Sequence, residues 1–528
     1  MRMSAKTLSL LALVGLAACG DALAVNNESQ PDVARVLASA QSVEAAVGGF
    51  GAQISNPQRA TESVNTQAKI LADETFATVA NFGMAARVAN RSLVDNDLGN
   101  DNQTGNVANF NSFQRLGRLV ANTLKAYNNL RADGKPLLVA ADENRMRSFA
   151  YFIMARAYTN VAIMYDSGAV ATEQINTTDI PPLIGATGMQ AAAIAAFDSA
   201  EANALRGMTS VPASWLSVAG LVDQANFVRL IRTYRARARA AVARTAAERA
   251  AVNWTTVIAD ATNGITADHD ISINGTTGWT AAFDGNQIYF TGGWHSMPMK
   301  FIGMADSSGA YQAWVASAPA SRRAFVVRSR DNRWPTGDTR VLQQANTPTN
   351  IILPKYLRNR PSGDDILGAG DGESQYDHRR YGATQVNVSN PGPFTEFSKT
   401  EIDMLAAEGY IRVGNFALAE PLINISRLRN GLPSVVGVGA GVVPGGAACV
   451  PKLPNGSCGT LLDAMKYEKR METAYTGYGV WFSDARGWGD LSANTVIEWP
   501  IPYQEMQARG RPFYDGVRVF AGPSTYGF

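Results

Sequence analysis

Apolar residues recur at helical spacing along most of the chain. In the stretch ENRMRSFAYFIMARAYTNVAIMY, Met146, Phe149 and Ile153 fall on one face of a helix. The same spacing predicts further helices, over about residues 32–56, 61–92, 110–132, 188–206 and 221–262. We therefore expect a mainly α protein.

The clearest local unit is a pair of helices over residues 401–433. Ser398 and Glu401 form a capping-box pattern at its start, and Gly431 and Pro433 mark its end. The pair has about the length of a tetratricopeptide repeat, in which small residues let the two helices approach closely. Gly409 and Ala419 are small residues that suit such an approach. This one tetratricopeptide-like hairpin, with several helix pairs around it, predicts a helical scaffold.

The middle of the chain differs from the flanking regions. From about residue 263 to residue 396, Gly, Asn, Asp, Thr, Ser and Pro increase and helical periodicity is lost. The short apolar runs AFVVRSR and NIILPKYL are candidate strands. We expect a helical scaffold over 32–262 and 397–495, a loop-rich, partly β region over 263–396, and an extended C-terminal segment over 496–528.

The N-terminus has the architecture of an export signal. Arg2 and Lys6 precede the apolar run Leu8–Leu16, which is too short to span a bilayer. The sequence Leu-Ala-Ala-Cys ending at Cys19 resembles a bacterial lipobox, whose cysteine is lipidated and becomes the mature N-terminus. It predicts a signal peptide over 1–18, a lipid anchor on Cys19 and a polar tether over 19–31. The alternative is cleavage nearby with Cys19 incidental.

Charge gives no electrostatic case for nucleic acid, since the net charge is +2 and 17% of residues are charged. The densest basic run places Arg232, Arg235 and Arg239 on one helix face. Because the chain contains 45 acidic residues, a salt-bridged face is favoured there over a phosphate-binding one.

Cys449 and Cys458 bracket a Pro- and Gly-rich turn, and in an exported protein this spacing predicts a structural disulfide. The three histidines are not at ligand spacing with one another or with a cysteine, so we predict no metal site and no cofactor. The stretch DNDLGNDN, with Asp95, Asp97 and Asp101, departs from the calcium-loop pattern and reads as a polar loop.

Several motifs, in order, resemble the SusD/RagB family of outer-membrane nutrient-binding lipoproteins. They include RMRSFAYFIMARAYTNVAIMYDSGAV, EIDMLAAEGYIRVGNFALAEPLINISRLRNGLP, AMKYEKRMETAYTGYGVWFSDARGWGDL and WPIPYQEM. The resemblance implies one SusD-like domain over 32–528, with four tetratricopeptide-like hairpins and an elaborated loop region. It also implies a lipid-anchored protein on the outer membrane, facing the cell surface. Such a protein captures glycans, or in some relatives peptides, without catalysis. It passes them to a SusC-like TonB-dependent transporter.

The loop-rich region contains the side chains that recognise sugars: flat aromatic rings for C–H faces and planar polar groups for hydroxyls. The candidate ligand-binding residues are Trp279, Asp284, Asn286, Tyr289, Trp294, Trp314, Arg330 and Trp334. The alternative for each aromatic residue is that it packs the loops against the scaffold.

Two other classes of protein compete with a nutrient-binding protein. A secreted glycoside hydrolase needs two carboxylates at a defined separation, and no recognisable catalytic motif accompanies the acidic residues here. A tetratricopeptide-type adaptor binds only protein partners, and the long aromatic middle region argues against it.

Overall fold

The computed structural model describes residues 37–60, 63–77, 91, 92, 94, 96, 104–176, 178–280, 295–346, 356–364, 372–380 and 392–522. The predicted signal peptide, Cys19, the tether and the aspartates of DNDLGNDN lie outside these residues. Within them, no helix is long and apolar enough to cross a membrane.

The chain is mainly α, as predicted. Before the middle region the helices are α1 (Ala40–Gly48), α2 (Phe50–Ser55), α3 (Val64–Leu71), α4 (Thr104–Ala132), α5 (Ala140–Met164), α6 (Ala186–Leu205), α7 (Ala213–Leu216), α8 (Gln224–Ala241), α9 (Ala246–Ala250) and α10 (Trp254–Thr262). The later helices are α11 (Met299–Gly303), α12 (Ala310–Ala316), α13 (Arg340–Ala345), α14 (Lys399–Arg412), α15 (Phe416–Arg429), α16 (Leu461–Thr473), α17 (Val480–Trp488) and α18 (Tyr503–Ala508).

The described strands pair only in short two-stranded antiparallel sheets. They are β1 (Phe76–Ala77), β2 (Ser167–Ala169), β3 (Leu183–Gly185), β4 (His269–Ile273), β5 (His295–Ser296), β6 (Leu357–Asn359), β7 (Tyr376–His378) and β8 (Gly392–Phe397). The pairs are β1 with β5, β2 with β3, β4 with β8, and β6 with β7.

The long helices form a continuous scaffold because each packs against the next. Helix α4 contacts α5, α5 contacts α6, α6 contacts α8, and α8 contacts α10. The chain then leaves for the middle region and returns as α14, which packs on α10, α15 and α16. The middle region is thus inserted between two neighbouring helices of the scaffold.

Two predicted helices are shorter than the apolar pattern indicates. The stretch 221–262 is divided into α8, α9 and α10, because the Thr245 and Asn253 side chains accept the amides of Glu248 and Thr256 and so begin new helices. Helix α3 ends at Leu71 instead of continuing towards residue 92. Asp73 there adopts the left-handed backbone region (φ 55°), and the chain then turns into β1.

The predicted hairpin over 401–433 is confirmed as α14 and α15, but two of its details are wrong. Gly409 faces α10, where a Cβ would lie 2.6 Å from Ile258 and 3.5 Å from Trp254. The Ser398 side chain accepts the Glu401 amide as expected. The Glu401 carboxylate, however, accepts the guanidinium of Arg237 on α8 at 2.7 and 2.8 Å.

The middle region is irregular, as predicted, although it also contains the short helices α11, α12 and α13. The run AFVVRSR pairs with no strand among the described residues. Of NIILPKYL, only Leu357 belongs to a described strand, β6. The C-terminal segment has little regular structure apart from α18, which the extended-chain prediction missed, and Val496 bridges to Val519.

Buried arginines tie the scaffold together. Arg249 on α9 is fully buried and binds the Glu408 carboxylate of α14 with two hydrogen bonds, of 2.6 and 3.0 Å. Arg486 on α17 donates to main-chain carbonyls at the C-terminal ends of α5 and α8, at Ile163 and Ala241. A cation at a helix C-terminus satisfies carbonyls that have no partner within the helix.

Candidate ligand-binding region

The middle region forms a lobe with its own apolar core. Its buried residues come from 297–334, 356–376 and 432–481, so the lobe and the helices α16 and α17 share one cluster. The predicted ligand-binding residues that the structure describes lie in or beside this lobe and beside the β4–β8 sheet.

Trp279 is 5% exposed and packs with Ile271 and Ile273 of β4 and Phe394 of β8. Its main chain also forms a bridge with Asn274. The indole therefore fastens the turn that follows β4 to the β4–β8 sheet.

The other two candidate tryptophans that the structure describes are also buried. Trp314 on α12 stacks on Tyr311, with ring centroids 6.0 Å apart, and the guanidinium of Arg322 lies 4.4 Å from its ring centroid. Trp334 is 1% exposed and meets Tyr376 edge to face, with centroids 5.4 Å apart. All three tryptophans thus adopt the core-packing alternative, and a ligand contact at any of them stays a prediction.

Arg330 is exposed, unlike these tryptophans. Asp284, Asn286, Tyr289 and Trp294 lie outside the described residues. The chain on either side of them is fixed to the scaffold. The Thr280 amide donates to Asn56 at 3.1 Å and its carbonyl accepts from Arg59 at 3.1 Å, while β5 begins at His295, which pairs with Ala77 of β1.

The lobe is fastened to the scaffold by a buried network of charges. The Arg333 guanidinium donates to Glu472 at 3.0 Å and to Glu468 at 3.0 Å, both on α16, and it also binds Asp331. Glu472 further accepts the hydroxyl of Tyr356, at 2.9 Å. Because these charges are withdrawn from water, their geometry is strongly determined.

The same network perturbs the ionisation of Glu472. Burial opposes the charged form, but the cations of Arg380, Arg333 and Arg429 and the Tyr356 hydroxyl outweigh it. They hold the pKa of the Glu472 carboxyl at about 2. The carboxylate is therefore ionised at neutral pH and is used in the network.

A second buried carboxylate anchors the β4–β8 sheet. Glu396 on β8 accepts Arg156 of α5 at 2.5 Å and the Ser55 hydroxyl of α2 at 3.0 Å. Burial alone would raise the pKa of the Glu396 carboxyl. The charges of Arg156, His269 and Arg59 outweigh burial and lower this pKa to about 2. Three elements distant in sequence converge on this group.

Sequence reasoning missed both networks. It identified the segment that forms α16 and α17 only by its resemblance to a family motif. A local signal was present, since α16 is buried on every side and yet contains Lys466, Glu468, Lys469, Arg470 and Glu472. Charges on a fully buried helix require partners, although the sequence does not name them.

Other predictions about individual residues are confirmed. Cys449 and Cys458 form a disulfide. The basic face of α8 is salt-bridged: Arg232 binds Glu201, while Arg235 and Arg239 share Asp260. The absence of a metal site stays a prediction; within the described residues, no group of three or more His, Cys, Asp or Glu side chains is placed to hold a metal ion.

The helical scaffold has two open grooves of its own. One, of about 660 Å³, lies between α6, α8, α9 and α10, and no aromatic residue lines it. The other, of about 590 Å³, lies between α4, α5 and α6. Its one aromatic residue, Tyr151, donates to Glu173. The first groove therefore offers no aromatic platform to a sugar ring, and the tyrosine hydroxyl of the second is already bound to a carboxylate.

Comparison with solved structures gives proteins of the same architecture, each 12% identical to this chain. A SusD homologue from Parabacteroides distasonis ATCC 8503 aligns over 92% of this chain and 98% of its own, with a TM-score of 0.59. A SusD-like protein from Bacteroides fragilis NCTC 9343 aligns over 90% and 96%, with a TM-score of 0.52. A protein from Bacteroides vulgatus ATCC 8482, named as a candidate sugar-binding protein, aligns over 91% and 99%, also at 0.52.

No family model matches the chain, and no curated protein does. The likeness therefore rests on the course of the backbone, which agrees over nine-tenths of the chain or more in all three comparisons. This chain has the SusD-like fold.

Proposed function

We propose that this chain is a SusD/RagB-type nutrient-binding lipoprotein of the outer membrane. It captures an oligomeric nutrient, a glycan in the first place, and passes it to a SusC-like TonB-dependent transporter. The observation that carries the proposal is the shared fold with the Parabacteroides distasonis SusD homologue, over 92% of this chain and 98% of that one. The name of the Bacteroides vulgatus protein favours a sugar as the ligand.

The construction of the lobe supports a binding role. Irregular chain placed on a rigid scaffold is where binding residues usually lie, and binding is tighter when the site is held in place beforehand. The networks around Glu472 and Glu396 supply that rigidity. The segment 281–294, which contains four of the predicted ligand-binding residues, connects two chain positions that are fixed to the scaffold.

Calorimetry on the mature protein with Cys19 replaced by Ser tests the ligand. The panel consists of neutral oligosaccharides, acidic polysaccharides and peptides. We expect one glycan class to bind without product formation. Trp294→Ala or Tyr289→Ala should weaken binding at least about tenfold, which is 1.4 kcal/mol. The control is Phe513→Ala, which removes an aromatic side chain that is 43% exposed on the C-terminal segment.

The outcomes separate the rival functions. Release of shortened products would show a glycoside hydrolase instead. Binding of peptides alone would replace the glycan by a peptide nutrient. A protein that binds no member of the panel and crosslinks in cells only to soluble proteins would be an adaptor. Crosslinking to an outer-membrane transporter supports the proposed partner.

The lipid anchor has a separate test. Cells that express the full chain are fed an alkyne-bearing fatty acid, and the protein is examined for label and for its place in fractionated membranes. We expect labelling of the natural chain and none of Cys19→Ser, which should leave the membrane fraction. Equal membrane association of both proteins would contradict the anchor.

A further inference from the structure

One segment of the lobe is basic and carries exposed arginines. Residues 322–340 contain six arginines and two aspartates, whereas the whole chain has a net charge of only +2. The remainder of the chain is therefore slightly acidic on balance. This short stretch of the loop-rich region thus has a net charge of +4, from six arginines and two aspartates.

The two aspartates do not neutralise the exposed arginines. Asp331 is buried and is bound to Arg333 and to the Tyr467 hydroxyl. Asp338 binds Arg328 at 3.1 Å, but their side chains are 80% and 54% exposed, so the pair is weak. Arg323 and Arg330 are exposed and make no ion pair with a carboxylate among the described residues.

The backbone that presents these arginines is fixed. The Val327 amide donates to the Tyr376 hydroxyl at 2.9 Å. The Arg328 amide donates to the fully buried Asp306 carboxylate at 3.1 Å, and the Arg328 carbonyl accepts the Ser307 amide at 2.9 Å. The segment is therefore held in place, although it belongs to no sheet.

Alternation along the segment directs the charges outward. Val327 is buried, while Arg328 and Arg330, one and three residues further, are exposed. Arg328 and Arg330, two residues apart in the sequence, are thus presented to solvent from a fixed backbone. Because the backbone is already fixed, less conformational entropy is lost when a ligand binds.

We propose that this face binds the acidic groups of an anionic glycan, either carboxylates of uronic acid residues or sulfate esters. The proposal rests on the proposed nutrient-binding function and names its ligand class. The planar guanidinium matches both groups, since each accepts two parallel hydrogen bonds. Val341 and Leu342, 73% and 50% exposed, follow Asp338 closely and offer apolar surface to the C–H faces of sugar rings.

A glycan is favoured here over an anionic membrane surface. Binding to a membrane needs a sizeable apolar face beside the basic one, commonly along a whole amphipathic helix. Helix α13 has six residues, and only Val341 and Leu342 among them are exposed large apolar side chains. The basic segment itself has no exposed large apolar side chain.

The test uses the mature chain with Cys19 replaced by Ser and three soluble polymers: polygalacturonate, dextran sulfate and neutral dextran. Vesicles containing phosphatidylglycerol are the fourth probe. Arg328→Gln/Arg330→Gln is compared with Arg206→Gln/Arg511→Gln, which removes two exposed arginines from other surfaces. Both double variants lose the same charge, so a general electrostatic effect changes them equally.

We expect polygalacturonate or dextran sulfate to bind, with an affinity that falls as salt rises from about 50 to 300 mM. Arg328→Gln/Arg330→Gln should lose at least about tenfold in affinity, and the control less than about twofold. Which of the two polymers binds identifies the acidic group. Circular dichroism and the melting temperature confirm that both variants fold.

Other outcomes overturn the inference. Binding of a neutral glycan with neither acidic polymer leaves the proposed function in place and removes the anionic ligand. Equal loss in both double variants removes the assigned site. Binding to the vesicles alone replaces the glycan by a membrane surface. If no glycan of either experiment binds, the inference fails together with the glycan-binding function.

Discussion

Arg333 and Glu472 lie 139 residues apart in the chain and form a fully buried ion pair, with Nη1 3.0 Å from Oε1. Arg333 belongs to the loop-rich lobe and Glu472 to α16 of the scaffold. Tyr356 and Arg380, from two further parts of the lobe, also contact the same carboxylate. A single carboxylate of the scaffold thus holds three segments of the lobe.

Replacing Glu472 by Gln should loosen the lobe. The substitution leaves Arg333 and its neighbours buried with less opposite charge, which typically costs about 3–5 kcal/mol. We expect a lower free energy of unfolding and faster hydrogen exchange at β6 and β7. The exposed pair supplies the control, because Asp338→Asn should change stability by less than about 1 kcal/mol.

A double-mutant cycle shows whether the two groups act as a pair. Arg333→Met together with Glu472→Met should cost clearly less than the two single changes added, because neither charge is then left alone. Additive losses would show that the two side chains contribute independently, which the geometry does not allow.

The disulfide should stabilise the turn after α15. Cys449 and Cys458 are nine residues apart, and closing a loop of that length is worth about 2–3 kcal/mol in the chain-entropy account. Cys449→Ala/Cys458→Ala should lose that amount in chemical unfolding, and the natural chain in reducing agent should lose the same. Cys19→Ser serves as the control. A double variant as stable as the natural chain would contradict the prediction.

The sequence alone predicts those parts of the fold that depend on near neighbours. Helices α14 and α15 follow from a cap at Ser398, the turn after α14 and a stop at Gly431, all within about 35 residues. The failure to predict the breaks before α9 and α10 is of the same kind, since Thr245 and Asn253 are cap residues inside an apparently continuous pattern. These signals are local.

The contacts that attach the lobe to the scaffold join residues far apart in the chain, and the sequence does not predict them. Arg333 and Glu472 resemble any other charged residues until the fold brings them together. The tryptophans mislead for a related reason: an indole buries a large area wherever the chain allows it, so Trp334 fills the core of the lobe. Arg330 was predicted as a candidate, but the importance of Arg328 beside it depends on which side of the segment faces outward.

Gly409 should tolerate little enlargement. A Cβ there would lie 2.6 Å from Ile258 Cγ1, so α10 and α14 would have to separate. In Gly409→Ala, the gain of about 1 kcal/mol in helix propensity opposes an overpacking cost of about 1–3 kcal/mol. We expect a small net loss for alanine and a loss of several kcal/mol for leucine. Thermal unfolding measures both. Ile258→Ala/Gly409→Ala should recover stability relative to Ile258→Ala alone, and a further loss would place the clash elsewhere.

Three buried carboxylates give the protein a defined response to acid. Glu396, Glu408 and Glu472 each lie in a buried site that opposes ionisation, and in each the adjacent arginines outweigh burial and hold the pKa at about 2. In the unfolded chain a glutamate has a pKa of about 4.3. Since the folded pKa is the lower one, the stabilisation is complete above about pH 5 and is lost as the pH falls towards 2.

We therefore expect the stabilisation contributed by these three carboxylates to be nearly constant from pH 7 to about 5 and to fall steeply below that range. Each of the three groups can contribute up to about 3 kcal/mol to the fall, because a shift of one pKa unit corresponds to 1.36 kcal/mol. Urea unfolding at a series of pH values measures the curve.

Glu408→Gln should be less stable than the natural chain at pH 7, because Arg249 loses its charged partner, and should show a shallower decline in acid. Asp338→Asn, at an exposed carboxylate, should follow the natural curve. A Glu408→Gln curve parallel to the natural one would mean that the pKa of Glu408 is the same in the folded and the unfolded chain.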